Sequence, residues 1–307
     1  LNGSYGELKK ATKMPNSPLD ILTTLKKAFD LLKRNDPLIL SASTAFFTTF
    51  SISPILIILL DFLGLFFDPE EIHKEIFDTM SITLGEGTAK DIHTIVHGFQ
   101  EQQTSAWVTV AMTLFFYFIA TTLLGVIKQS IHRLWKIRKK TEKNIMYNVK
   151  ERMIGVGLLF VVAVLVVHSY FIDRRLLAGL EDGSVLTRSI DSGFSFLIAV
   201  IWFTLVLKLL PEARMSWKVG LTGGLFTGVL FKGGELLLGK ILIHWKLVAI
   251  FGVSSSMALI LLFIFYCSFI LYLGAAFTYE YAKAIRKPIQ PGKYAIEYVE
   301  EITSEDR

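Results

Sequence analysis

The run Val219–Ile243 is long enough to span a bilayer, yet it carries Lys232, Glu235 and Lys240. At about 100° per residue, Gly220, Gly224, Gly228, Lys232, Glu235 and Gly239 share roughly a third of the helix circumference. Glycines four apart admit a second helix at close range, so this face is expected to lie in protein and not in lipid. A charge at mid-bilayer costs about 3 kcal/mol even on lenient insertion scales. Two charges on the glycine face therefore call for a partner, a polar cavity, or both.

Comparable apolar runs recur near 38–67, 106–127, 153–172, 190–210 and 251–277, and 52% of the 307 residues are hydrophobic. Such runs are too long and too numerous for the core helices of a soluble domain. The expected fold is all-α and polytopic, with six transmembrane helices over 38–287. A segment 1–37 precedes them and a flexible tail 288–307 follows. Of the 32 Lys and Arg, 23 fall in the termini and in the segments 128–152 and 211–218, against six in the alternate loops. That asymmetry puts both termini in the cytoplasm. The basic balance is thus a topology signal, and no nucleic-acid partner is implied. The single cysteine, Cys267, excludes an internal disulfide. No apolar targeting region precedes the first polar segment, so the first span is expected to act as its own insertion signal.

Ser17-Pro18-Leu19-Asp20 reads as a helix start, with an N-cap, a first-position proline and a first-turn acid. Ile21, Leu22, Leu25, Phe29 and Leu32 then share one face, which predicts an interfacial helix on the cytoplasmic membrane surface. In the first span, Ser41, Thr44, Thr48 and Ser51 fall on one side while Phe46, Phe47 and Phe50 face away, and Pro54 removes a backbone donor. This hydroxyl row either lines a polar path or bonds to neighbouring helices and its own backbone. Residues 68–105 carry eight acids against Lys74 and Lys90, and their apolar spacing predicts two short helices. His93 and His97 stand one turn apart but lack the glutamate of a zinc-protease motif, so no metal is expected.

Three stretches carry a family resemblance. ASTAFFTTFSISP (Ala42–Pro54) resembles the first-helix signature of the YihY/BrkB family of bacterial inner-membrane proteins. SIHRLWKIR (Ser130–Arg138) resembles its Asn-x-x-Trp segment, with His132 where Asn is usual. The stretch from Pro211 through TGGLFTGVLF to GAAFT resembles its C-terminal helical hairpin, so the likeness covers about residues 20–285. It implies six helices with both termini inside, and a role in envelope integrity with lipid or solute transport. There are departures. Gly274-Ala275-Ala276 stands where the family often has Gly-Ala-Glu, Phe251 replaces a usual Tyr, and Glu235 replaces a common Lys, with Lys232 one turn earlier.

Two functional readings follow. One is an inner-membrane transporter or lipid-translocating protein, its polar path running between the first and fifth spans past Ser41, Thr44, Thr48, Ser51, Pro54, Lys232 and Glu235. Gly220, Gly224 and Gly228 would serve helix packing, and the substrate would be an anionic lipid or small solute. The other is a non-transporting structural or interaction protein of the envelope, with room for a homo-oligomer. No cofactor is implied. An enzyme is not expected, because no paired carboxylates or Ser/His set occurs at membrane depth. A nuclease is disfavoured by the scattered histidines and the lack of a soluble domain.

Overall fold

The computed structural model describes residues 21–65, 68–84, 86–101, 106–139, 157, 185–244, 255–292 and 294–298. Helix α1 (Ile21–Lys33) leads into α2 (Pro37–Leu63), a helical pair α3 (Pro69–Leu84) and α4 (Glu86–Glu101), and α5 (Ala106–Leu134). Then come α6 (Val185–Leu209), α7 (Trp217–His244) and α8 (Ser255–Ala284). Five of the expected spans are thus single long helices, and the run 153–172 lies outside the described residues except for Gly157, as does the expected helix start at Ser17. Pro37–Ile57, Ser192–Leu209 and Ile260–Ala284 are long and apolar enough to cross a membrane by length and composition.

Local chemistry sets the helix ends. Asp68 Oδ1 accepts the Glu70 N–H at 2.9 Å ahead of Pro69, with Glu70 and Glu71 in the first turn, so α3 starts with a cap, a fitting φ and favourable charge. Ser216 Oγ accepts the Val219 N–H at 3.4 Å at the start of α7. Helices α1, α5 and α8 are each followed by a left-handed residue that is not glycine: Asp36 (φ 52), Lys136 (φ 55) and Arg286 (φ 59). After α8, the Lys287 N–H returns to the Ala282 carbonyl at 2.9 Å, closing the helix in the Schellman manner.

Two apolar cores form. The larger gathers Ala28 and Leu32 of α1, Ile131, Leu134 and Trp135, Leu207 of α6, Val219 of α7, and Tyr272, Ala275 and Ala276 of α8. The second joins Leu56 and Leu60 of α2 with Ile72 and Ile76 of α3, Ile92 and Val96 of α4, and Ile264 of α8. Helix α8 belongs to both and packs on α2, α7, α1 and α5. Phe46, Phe50, Phe115, Phe118, Leu225 and Val229 remain exposed, an apolar exterior suited to acyl chains.

Two expectations are corrected. The region after 288 is not a free tail over its first part. There β3 (Gln290–Pro291) pairs antiparallel with β2 (Ala213–Arg214), and β4 (Ala295–Glu297) pairs antiparallel with β1 (Ile137–Lys139). Ile289 and Ala295 are buried in the larger core, which explains why a polar-looking segment is ordered. The fold is therefore helical with two small strand pairs, gathered at the end of the bundle where α1, α5 and α8 finish. Nor does α1 present all its apolar residues to one surface. It docks on α8 through Thr24, Ala28 and Leu32, leaving Ile21, Leu22 and Phe29 exposed.

Candidate functional site

The glycines of α7 are contact points for two helices. A Cβ on Gly224 would lie 2.8 Å from the Thr204 backbone nitrogen, and one on Gly228 would lie 2.8 Å from Val200 Cγ2, both on α6. Gly220 also faces Thr204, at 3.8 Å. On the side towards α8 the packing is reciprocal: Thr278 fills the space over Gly223, and Thr227 fills the space over Gly274. Each threonine hydroxyl is satisfied within its own helix, Thr278 donating to Gly274 O at 2.6 Å and Thr227 to Gly223 O at 2.8 Å. The methyl side of each threonine is then free to pack on the facing backbone.

Beyond this contact the same helix carries its charges. Lys232 Nζ and Glu235 Oε2 are 2.9 Å apart, one turn from each other near the midpoint of α7. The lysine side chain is 23% exposed and the glutamate 42% exposed, so the pair sits at the edge of the packed helices and not sealed between them. At the same level of α7, the Tyr266 hydroxyl of α8 donates to Leu230 O at 2.8 Å, its ring lying over Gly234.

The hydroxyl row of α2 lies elsewhere. Ser41, Thr44 and Ser51 are buried, and so is Pro54. Thr44 hydrogen-bonds with the Tyr272 hydroxyl of α8, which Ser130 also reaches. Thr48 donates to Thr44 O at 2.7 Å and Ser51 to Phe47 O at 2.7 Å. Ser41 Oγ is buried with no hydrogen-bond partner among the described residues. Helices α2 and α7 each take α8 as a major neighbour. The structure thus brings Lys232 and Glu235 together, and brings Thr44 to α8, but sets α8 between the row and the ion pair.

A cluster that sequence reasoning missed closes the end where α5 finishes. Trp135, 1% exposed, donates its indole N–H to Ala275 O at 2.9 Å, beside the alanine that stands where the family pattern has a glutamate. His132 Nε2 accepts the Glu212 backbone N–H at 3.0 Å, which shows what the residue in the Asn position does. The Glu212 carboxylate meets Lys128 Nζ at 2.6 Å, with both side chains largely buried at 13% and 14% exposure. Its second oxygen, Oε2, is buried without a partner among the described residues. The one available signal was Glu212 itself, an acid in an otherwise basic turn opposite a strongly basic segment.

Removing Lys128 as Lys128→Met leaves that carboxylate buried without its counter-charge, a loss of about 3–5 kcal/mol. The thermal midpoint in detergent should fall, and Lys128→Met combined with Glu212→Gln should recover most of it. An unchanged midpoint in the single variant would show that the pair holds nothing together.

His93 and His97 stack at 5.6 Å between ring centroids, and Phe77 meets His93 edge-on at 4.6 Å. Among the described residues no group of three His, Cys, Asp or Glu gathers around them.

Long apolar helices with a lipid-compatible exterior define an integral membrane protein of the α-helical class. Within that class the chain belongs to the family described as virulence factor BrkB, whose model it matches over residues 28–296. It is 26% identical over 248 residues to a UPF0761 membrane protein of Pseudomonas paraeruginosa (strain DSM 24068 / PA7), covering 76% of this chain and 57% of the relative. A UPF0761 membrane protein of Chlorobium chlorochromatii (strain CaD3) is 24% identical over 257 residues, or 80% of this chain and 56% of the relative. The chain therefore spans a little over half the length of these curated relatives. No solved structure matches it.

Proposed function

We propose that the protein is a multi-pass inner-membrane protein with six spans and cytoplasmic termini that moves amphiphilic, anionic molecules, lipids foremost, across the bilayer. The observation that carries this reading is the Lys232–Glu235 pair. It sits midway along a bilayer-length helix and is open at its edge, beside the exposed Leu225 and Val229. A headgroup passing this edge would exchange Glu235 for its own anion at Lys232 while its chains stayed in lipid. The path so described runs along the outer side of α7. The α2 row serves packing here, since Thr44 is bonded to α8 and Thr48 and Ser51 to their own helix. Topology rests on the charge asymmetry, and the basic segments 128–139, 211–218 and 283–287 do gather at one end.

Transbilayer movement of fluorescent phosphatidylglycerol in proteoliposomes tests this. The native protein should accelerate it, and Lys232→Ala with Glu235→Ala should lower the rate roughly tenfold, about 1.4 kcal/mol of barrier. Undiminished movement in the double variant removes the pair from the mechanism.

The hydrogen bonds of Thr44, Thr48 and Ser51 favour a second reading, a non-transporting, non-enzymatic scaffold of the envelope. Crosslinking that recovers one stable partner, with no movement of any lipid or solute, would select it.

A further inference from the structure

We infer that the basic end of the bundle carries a binding pocket for a phosphate group, of the kind presented by an anionic phospholipid headgroup. The site is distinct from the α7 ion pair and does not depend on it.

A cavity of ≈ 380 Å³ opens between the last turn of α1, the residue that follows Trp135, and the last turn of α8. That volume is within the roughly 300–1,000 Å³ typical of small-molecule sites. Lys27 and Arg34 line it from α1 and its end, Lys136 from the turn after α5, and Lys283 from α8, against Asp30 and Glu280. Glu280 is engaged by Lys283 at 3.5 Å, and the Lys283 ammonium rests 4.0 Å over the Tyr279 ring, which forms part of the wall. Among the described residues, Lys27, Arg34 and Lys136 have no ion-pair partner. Four cations and two carboxylates thus face one void, an excess of two positive charges.

Cations near helix C-termini are favoured by the helix dipole whether or not a ligand binds. The dipole does not account for three separate elements aiming cations at one concavity. It also does not account for Lys136. This residue holds φ 55, a left-handed conformation that glycine adopts far more cheaply, and its carbonyl is fixed by the Tyr298 N–H at 3.0 Å. A side chain kept where glycine fits best points to use of that side chain.

The surroundings indicate where the phosphate comes from. Ile21, Leu22 and Phe29 of α1 are exposed, as are Leu38 and Ile39 at the start of α2. These flank the same end of the bundle and suit acyl chains at the membrane interface. An arginine supplies planar paired donors to a phosphate, while lysines act as point charges, a combination common to phosphate sites.

The test uses the full chain in detergent and in phosphatidylcholine nanodiscs with and without phosphatidylglycerol. Native mass spectrometry reads retained lipid, and thermal shift reads inorganic phosphate and glycerol 1-phosphate. Lys136→Gly removes a cation while suiting the backbone, so it leaves the fold intact, and Arg34→Gln removes the fork. Preferential retention of phosphatidylglycerol by the native protein, weakened roughly tenfold in Lys136→Gly/Arg34→Gln, supports a lipid headgroup site. Binding of the soluble phosphates with the same sensitivity supports the phosphate site and assigns it a free ligand. Equal retention of both lipids with no phosphate binding overturns the inference, and so does binding unchanged in a double variant that keeps the native thermal midpoint.

Discussion

Gly224→Val should cost the protein its α6–α7 contact and lower the thermal midpoint in detergent more than any other glycine substitution in α7. The added Cβ would lie 2.8 Å from the Thr204 nitrogen and 2.9 Å from its Cα. Those are backbone atoms, so no rotamer change relieves the clash and the whole helix must retreat. Overpacking of this sort costs about 1–3 kcal/mol when side chains can yield, and more when they cannot. Retreat would also open the contacts at Gly220 and Gly228. The control is Gly233→Ala on the same helix, where a Cβ meets nothing within 4 Å. There the change should be neutral or stabilising by up to about 1 kcal/mol, because alanine loses less backbone entropy in a helix. If the two substitutions behaved alike, the close approach of α6 and α7 would be wrong.

The second large effect is expected at Trp135. Trp135→Ala empties the centre of the larger core and removes the donor to Ala275 O, at about 3–5 kcal/mol for the lost volume. Trp135→Phe keeps most of the apolar volume and removes only the indole bond to the Ala275 carbonyl, which keeps its own helix's N–H, a smaller loss of about 1 kcal/mol. Thermal unfolding of the two variants separates packing from hydrogen bonding. A phenylalanine variant as unstable as the alanine one would mean that the hydrogen bond dominates. An alanine variant as stable as the native chain would mean that Trp135 does not sit in the core.

The split between what was legible and what was not follows from the range of the forces involved. The spacing of Gly220, Gly224 and Gly228 foretold a close helix contact, because glycine spacing on a helix is a local property that survives in any fold. The same reasoning grouped Lys232 with those glycines, since both fall within a third of a turn. Only the tertiary arrangement shows the ion pair at the edge of the packed helices, with Glu235 42% exposed. For α2, local pattern found the hydroxyl row but not its use, because a threonine bonded to its own helix and one lining a path have the same sequence. Tyr272, 228 residues away from Thr44, is the hydrogen-bond partner that no local pattern could show.

By itself, then, the chain determined its helices, their apolar exteriors, the clustering of basic residues in alternate loops, and the family to which it belongs. These depend on periodicity and on the cost of placing charge and bare backbone in hydrocarbon, which act residue by residue. The tertiary structure alone decided that α8 stands between α2 and α7, that Glu212 pairs with Lys128, that 290–291 and 295–297 pair back as strands, and that Lys27, Arg34, Lys136 and Lys283 line one cavity. Each joins residues far apart in the chain, and contacts of that kind are set by which surfaces fit, a property that no local window of sequence contains.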